Sequence, residues 1–228
     1  MRRVILFLLC FALVAVPVHG AQPEKLVALT FDDGPSGRFT RRLLEGLAQR
    51  EVKATFFLCG YRIEQYPELT GQIAAAGHEI GLHGYSHRSM ESMCRSEAAR
   101  ELQKVMDQLE GICPVTFLRT PGGRYSKCVQ QVAAELGLSI LYWSLDPQDW
   151  AVHDANKIAD HVTGRTRDGD VILLHDMSDS SVEAALAIID RLQKQGFRFV
   201  TVSELAENRG ITLEPGRKYT RFPAEKVK

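Results

Sequence analysis

From Leu26 onward, short apolar runs alternate with stretches whose apolar positions recur at helical spacing, the pattern of parallel strands joined by crossover helices. The runs predict seven strands, at Val27–Phe31, Ala54–Leu58, Glu79–Leu82, Thr116–Leu118, Ile140–Ser144, Asp170–Leu174 and Phe197–Thr201. Between them, Leu43, Leu44 and Leu47 mark one helix face, and Ile63, Leu69 and Ile73 another that Pro67 can interrupt. Leu102, Val105, Met106 and Leu109 make a third face, and Val129, Val132, Ala133 and Leu136 a fourth, with Ser126 placed as its N-cap. The stripe Val182, Ala185, Leu186, Ile189 and Leu192 makes a fifth and reads as core packing. The class is therefore α/β, as a closed barrel or as an open doubly wound sheet. Periodicity does not separate the two, but in both of them ligand chemistry gathers at the C-terminal ends of the strands.

With 228 residues and 45% hydrophobic content, the chain is long enough for one sizeable core. Lys plus Arg and Asp plus Glu balance at 28 each, so no net field draws it to nucleic acid or anionic lipid, and a neutral substrate fits better. No feature calls for a second subunit, so a monomer is expected. Met1-Arg2-Arg3, the apolar run Val4 to Val18 and the small residues around Gly20 have the three regions of a secretory signal over residues 1–20. The run is shorter than the roughly 20 residues of a spanning helix. Export to the cell envelope, the periplasm or the medium is expected, with an uncleaved anchor as the alternative. The main domain is placed at residues 25–207. Residues 208–228 lose periodicity, become basic, and read as a tail that wraps the surface or frays. Cys59, Cys94, Cys113 and Cys128 allow three pairings that sequence does not rank, and without a Cys-x-x-Cys a zinc knuckle is not expected.

The strand-end rule picks out chemistry at five places. The first strand ends at Asp32-Asp33-Gly34-Pro35 and the third at His83-Gly84-Tyr85-Ser86-His87. The fourth ends at Arg119-Thr120-Pro121-Gly122-Gly123, the fifth at Asp146-Pro147-Gln148-Asp149-Trp150, and the sixth at His175-Asp176. Alone, the Asp-Asp-Gly-Pro tetrapeptide reads equally well as a solvated turn. Alone, His-x-x-x-His reads more readily as surface chance. Together they supply two imidazoles and a carboxylate for a metal, with a second carboxylate left over as a base. One helical turn would put His83 and His87 on the same side, as in the zinc-binding His-Glu-x-x-His helix, but Gly84 stands where that motif has its Glu, so the base must be Asp32 or Asp33. Zinc is the first choice of ion, and cobalt, manganese or iron suit the same donors. The all-β scaffold and His-x-Asp spacing of the non-haem iron oxygenases are missing here.

Thr30-Phe31-Asp32-Asp33-Gly34-Pro35-Ser36, His83 to His87, Arg119-x-Pro121, Asp146-x-x-Asp149-Trp150 and Leu173-x-His175 together resemble the polysaccharide deacetylases with the NodB homology domain, carbohydrate esterase family 4. Five motifs in family order cover Lys25 to Glu207. The resemblance implies a distorted (β/α) barrel with about seven strands. It implies a metal held by Asp33, His83 and His87, Asp32 as base, His175 as acid, Arg119 orienting the catalytic carboxylate, and Asp146 pairing with His175. Leu173 would meet the acetyl methyl, the N–H of Gly122 the oxyanion, and Pro121, Tyr125 and Trp150 would shape the sugar groove. Gly84 stands where Ser or Thr is usual, which removes a contact that steadies the metal-binding turn. Gly122 stands where an aromatic is common. The implied reaction is removal of N-acetyl groups from a peptidoglycan or chitin-like polysaccharide. The rivals are an O-acetyl esterase of the xylan type and a glycan-binding protein without turnover. Trp143 is assigned to the core, and His78, His153 and His161 to surface or capping positions.

Overall fold

The structure, a computed structural model, describes residues 24–224; the signal assigned to residues 1–20 lies outside the described residues. The chain opens with β1 (Lys25–Asp32), α1 (Arg38–Gln49), β2 (Thr55–Leu58), α2 (Gly60–Gln65), α3 (Pro67–Ala75) and β3 (Glu79–Leu82). It continues with α4 (Arg95–Leu109), β4 (Phe117–Leu118), α5 (Lys127–Glu135), β5 (Ser139–Leu141), α6 (Ala155–Thr163) and β6 (Asp170–His175). It closes with α7 (Asp179–Lys194), β7 (Phe197–Phe199), α8 (Val202–Asn208) and β8 (Lys218–Tyr219).

All strand pairs are parallel, in the order β6-β1-β2-β3-β4-β5-β8, with β7 paired to the start of β1. Beyond β5 the chain bridges back to β6, Leu145 to Ile172. The sheet thus curls into the distorted barrel that the alternating pattern allowed. Pro67 does divide the second helical stretch: it occupies the first turn of α3, where its missing N–H costs nothing. Ser126 caps α5 by accepting the N–H of Val129.

Strands in such a barrel are covered on both faces and read as continuous apolar runs. Along β1, Val27, Leu29 and Phe31 pack outward beneath the helices. Alternate residues Leu26 and Ala28 join Phe57, Phe117, Leu141 and Val171 in a second cluster inside the barrel. Thr30 and Asp32 continue that inward series, so β1 carries its lumen from apolar at the base to polar at the C-terminal rim.

Residues after α8 are built into this core. β8 pairs with β5, Phe222 is fully buried in the inner cluster, and its N–H donates to Gly169 O at 2.7 Å. Gly169 has φ +81, and a Cβ there would meet the Phe222 carbonyl, so only glycine admits the tail at that point. The segment expected to wrap or fray therefore supplies a strand and an aromatic plug. Among the described residues all four cysteines are free, with Cys59 buried, and no helix is long and apolar enough to cross a membrane.

Candidate active site

Each strand-end motif reaches the same rim. β1 delivers Asp32 inward, 3% exposed, and Asp33 at φ 75 turns its carboxylate the other way, toward His83 and His87. Asp33 Oδ1 lies 3.2 Å from His83 Nε2 and 2.9 Å from His87 Nε2. One donor atom from each of the three side chains falls within 4.8 Å of the other two. The helical turn expected for His83 to His87 does not form: Gly84 and His87 are left-handed, at φ 75 and 57, and an irregular turn brings the imidazoles together.

The hydrogen bonding of this trio leaves its inward atoms free for a cation. His83 Nδ1 donates to the Arg119 carbonyl oxygen, which only accepts, at 2.8 Å, so Nε2 is the ring nitrogen left to face Asp33. Asp33 Oδ1 is buried without a properly directed hydrogen-bond donor among the described residues. Burial works against charge on Asp33, but the neighbouring imidazoles hold its carboxyl well below the usual carboxylate range; the same contact raises His87. Two imidazole nitrogens and an anionic oxygen converging on one point, with the fourth side open, match three-ligand catalytic metal sites.

Asp32 faces a different partner. Arg119, fully buried, donates to Asp32 Oδ1 at 2.7 Å, to Thr30 Oγ1 at 2.8 Å, and to the carbonyls of Leu141 and Tyr142 at 3.2 and 3.0 Å. Its guanidinium carbon lies over the Phe57 ring, 4.0 Å from the centroid. Every N–H direction but one is thus committed, and the carboxylate it grips has little freedom to move.

His175 stands across the pocket at the end of β6. Its Nδ1 is 2.8 Å from Asp149 Oδ1 and its backbone N–H donates to Asp149 Oδ2 at 2.9 Å. Burial alone would lower the imidazole, but the fully buried Asp149 carboxylate outweighs it and pushes His175 up to about 9. This corrects the assignment of Asp146. Asp146 Oδ1 accepts the N–H of Gln148 and shapes the turn that carries Asp149 inward, three residues on. Asp146 itself lines the pocket wall.

The pocket has a volume of about 410 Å³ and is bounded by Asp32, Asp33, His83, His87 and His175 with Gly122, Leu173, Trp150, Trp143 and Asp146. Trp143, assigned to the core, is in this wall because β5 ends at Leu141 and the chain leaves the sheet three residues earlier than the strand expected at Ile140–Ser144. Tyr125 does not reach the pocket; it stands edge-on to Tyr142, centroids 6.1 Å apart. Pro121 is buried beneath the turn that presents Gly122. Trp150 is 63% exposed at the rim. His78, expected at the surface or as a cap, is a buried cap: its Nδ1 accepts the Ala54 N–H, and burial lowers it to about 4.

One carboxyl went unassigned in the sequence. Asp176, next to His175, is fully buried behind the β1 turn, where it accepts the Thr40 hydroxyl, and burial raises it to about 7. A Cβ on Gly34 would lie 2.7 Å from Asp176 Oδ1, so the glycine after the Asp pair is what lets this turn pack against the end of β6.

Comparison with known proteins agrees with this geometry. The family model described as polysaccharide deacetylase matches residues 19–141. A peptidoglycan-N-acetylglucosamine deacetylase of Bacillus cereus is 39% identical over 189 residues, 80% of this chain and 88% of that protein. A peptidoglycan-N-acetylmuramic acid deacetylase of Bacillus subtilis is 34% identical over 81% of this chain, which spans 39% of that longer protein. Among solved structures, a family 4 acetyl xylan esterase from Clostridium thermocellum, in complex with a cobalt ion, superposes with TM-score 0.81 at 32% identity, covering 87% of this chain and all of that one. The strand-end motifs, the barrel that gathers them and these likenesses agree: the chain belongs to the polysaccharide deacetylase family.

Proposed function

We propose that this protein is a metal-dependent hydrolase that removes N-acetyl groups from a cell-wall or chitin-like polysaccharide, with peptidoglycan N-acetylglucosamine as the first candidate, releasing acetate. The observation that carries the reading is the grouping around one open pocket of an Asp-His-His donor set, an arginine-anchored carboxylate and a carboxylate-paired histidine. Asp33, His83 and His87 would hold one divalent ion, zinc first, with cobalt, manganese or iron as other occupants. Such an ion polarises an acyl carbonyl and acidifies water, which an unreactive amide requires.

The chain's own residues then divide the proton work. Asp32, fixed by Arg119, takes a proton from the attacking water. His175, protonated through its pairing with Asp149, offers Nε2–H to the departing amine, the only ring nitrogen left to it. Gly122 lines the pocket, and its N–H would donate to the developing oxyanion. Leu173, 4% exposed, would meet the acetyl methyl with an apolar surface, and Trp143 and Trp150 in the pocket wall would pack against a sugar ring. The reading carries an export signal at residues 1–20 and action in the cell envelope.

A second reading, hydrolysis of O-acetyl groups on a xylan-like polymer, is favoured by the likeness to the acetyl xylan esterase. Acetate release separates the two: N-acetylglucosamine oligomers and peptidoglycan should be substrates, and acetylated xylan a poor one. The reverse preference establishes the esterase, and no release from any of them leaves a binding protein. Asp32→Asn should retain the ion while turnover falls about 10²- to 10⁴-fold; undiminished turnover removes Asp32 as the base.

A further inference from the structure

His83 and His87 sit on a turn that is not itself helical, so groups outside it have to fix the separation of their imidazoles. His83 is anchored through Nδ1 to Arg119 O, whereas the His87 side chain is 42% exposed, with Nε2 2.9 Å from Asp33 Oδ1 and its ring centroid 5.2 Å from that of His83. The residues between them carry the constraint. Glu101, on α4 and 8% exposed, accepts the backbone N–H of Tyr85 at 2.9 Å and of Ser86 at 2.9 Å on Oε2, and the Ser86 hydroxyl at 2.8 Å on Oε1. Arg88 Nη2 lies 3.5 Å from Oε1. On the opposite side of the turn, the Gly84 and Tyr85 carbonyls accept the N–H groups of Gly60 and Tyr61 at 3.0 Å.

The turn is therefore clamped from both sides, by amides at the start of α2 and by one buried carboxylate from α4. Gly84 has φ +75, a conformation that other residues adopt only with strain, and a Cβ there would displace the Met90 methyl, 2.6 Å away. The steadying contact that Gly84 cannot make is thus supplied from a helix remote in sequence. A carboxylate taking two backbone N–H groups and a hydroxyl is a strong, charge-assisted clamp.

We propose that Glu101 is a positioning residue for the cation site, holding the His83–His87 turn in the shape that brings both Nε2 atoms to Asp33. The inference rests on reading Asp33, His83 and His87 as cation ligands. Glu101 touches neither substrate nor ion; it acts through His87. Its loss should reach metal affinity before it reaches the acid or the base. Groups that orient metal ligands are typically worth ten- to hundredfold in affinity.

The test titrates metal-free wild type, Glu101→Gln, Ser86→Ala and His87→Ala with zinc by calorimetry, and follows thermal unfolding of the metal-free forms and kcat and KM as functions of zinc concentration. Glu101→Gln should bind zinc about 10- to 100-fold more weakly. Ser86→Ala, which deletes one leg of the clamp, should fall between it and wild type, and His87→Ala should lose most. Both clamp variants should regain most of kcat at saturating zinc with KM unchanged. Affinities of both within about twofold of wild type overturn the inference, as does a kcat defect that zinc does not relieve. If Glu101→Gln does not fold, Ser86→Ala decides alone. A wild type that takes up no zinc overturns the ligand reading and the inference together, whereas a wild type that binds zinc beside unaffected clamp variants overturns the inference only.

Discussion

Asp149→Asn perturbs the acid side of the mechanism without changing shape. The wild-type carboxylate contacts His175 twice, Oδ1 at Nδ1 and Oδ2 at the backbone N–H, and lifts the imidazole from 6.5 to about 9 against the opposing effect of burial. Asparagine can keep one contact. If its oxygen stays on the backbone N–H, its NH₂ faces Nδ1, the proton is forced onto Nε2 of a neutral ring, and a neutral imidazole is a poor acid. With the Asp149 charge gone, only the more distant Asp32 and Asp33 still oppose burial, and His175 falls toward 6.5. At pH 8 an imidazole at 9 is about nine-tenths protonated and one at 6.5 about one-thirtieth, a loss of roughly 30-fold in the active form. The alkaline limb of the kcat/KM profile, measured by acetate release under equal metal loading, should move down by two or more pH units. The sign of the linked stability follows from the same numbers. A raised histidine stabilises fully below 6.5, and that contribution is lost as pH rises through 9; at about 1.4 kcal/mol per pH unit it amounts to about 3 kcal/mol. Asp146→Asn is the matched control and should leave the limb in place. A profile shifted by Asp146→Asn and not by Asp149→Asn would refute the assignment.

Arg119→Met keeps bulk but strands the buried Asp32 carboxylate; it should cost about 3–5 kcal/mol in urea unfolding and abolish turnover, and a variant as stable as wild type would deny the ion pair its structural role. Phe222→Ala removes the ring that plugs the barrel base and should cost about 3–5 kcal/mol, or about 10 °C in Tm. An unchanged Tm would return residues beyond α8 to the status of a loose tail.

How much of this could be read from the chain depends on whether a residue's role is set locally. β1 and β6 announce themselves because both faces are buried and their runs are almost continuously apolar. β8 does not: it is two residues long, and it is buried only because Gly169 and β5 are waiting for it. The five strand-end segments hold the pocket's carboxylates and histidines, though not Trp143, and the residues that could hold a metal are the ones the fold brings together. What failed was orientation beyond the strand ends. Asp146 and Asp149 stand three apart in one loop, and the left-handed Gln148 between them decides which carboxylate turns inward. His83 and His87 have helical spacing but a non-helical turn, shaped by a glutamate from α4 that no local pattern connects to them. Trp143 looked like core because nothing local marks where β5 ends.

The central claim is a cation held by Asp33, His83 and His87 at the point of reaction. Metal content of the purified protein, followed by chelation, readdition of zinc and acetate release from N-acetylglucosamine oligomers, addresses it directly. One divalent ion per chain, activity lost on chelation and restored by zinc, and neither binding nor recovery in Asp33→Ala is the result this account predicts. Acetate release that survives complete removal of the metal, or full zinc binding by Asp33→Ala, would contradict it.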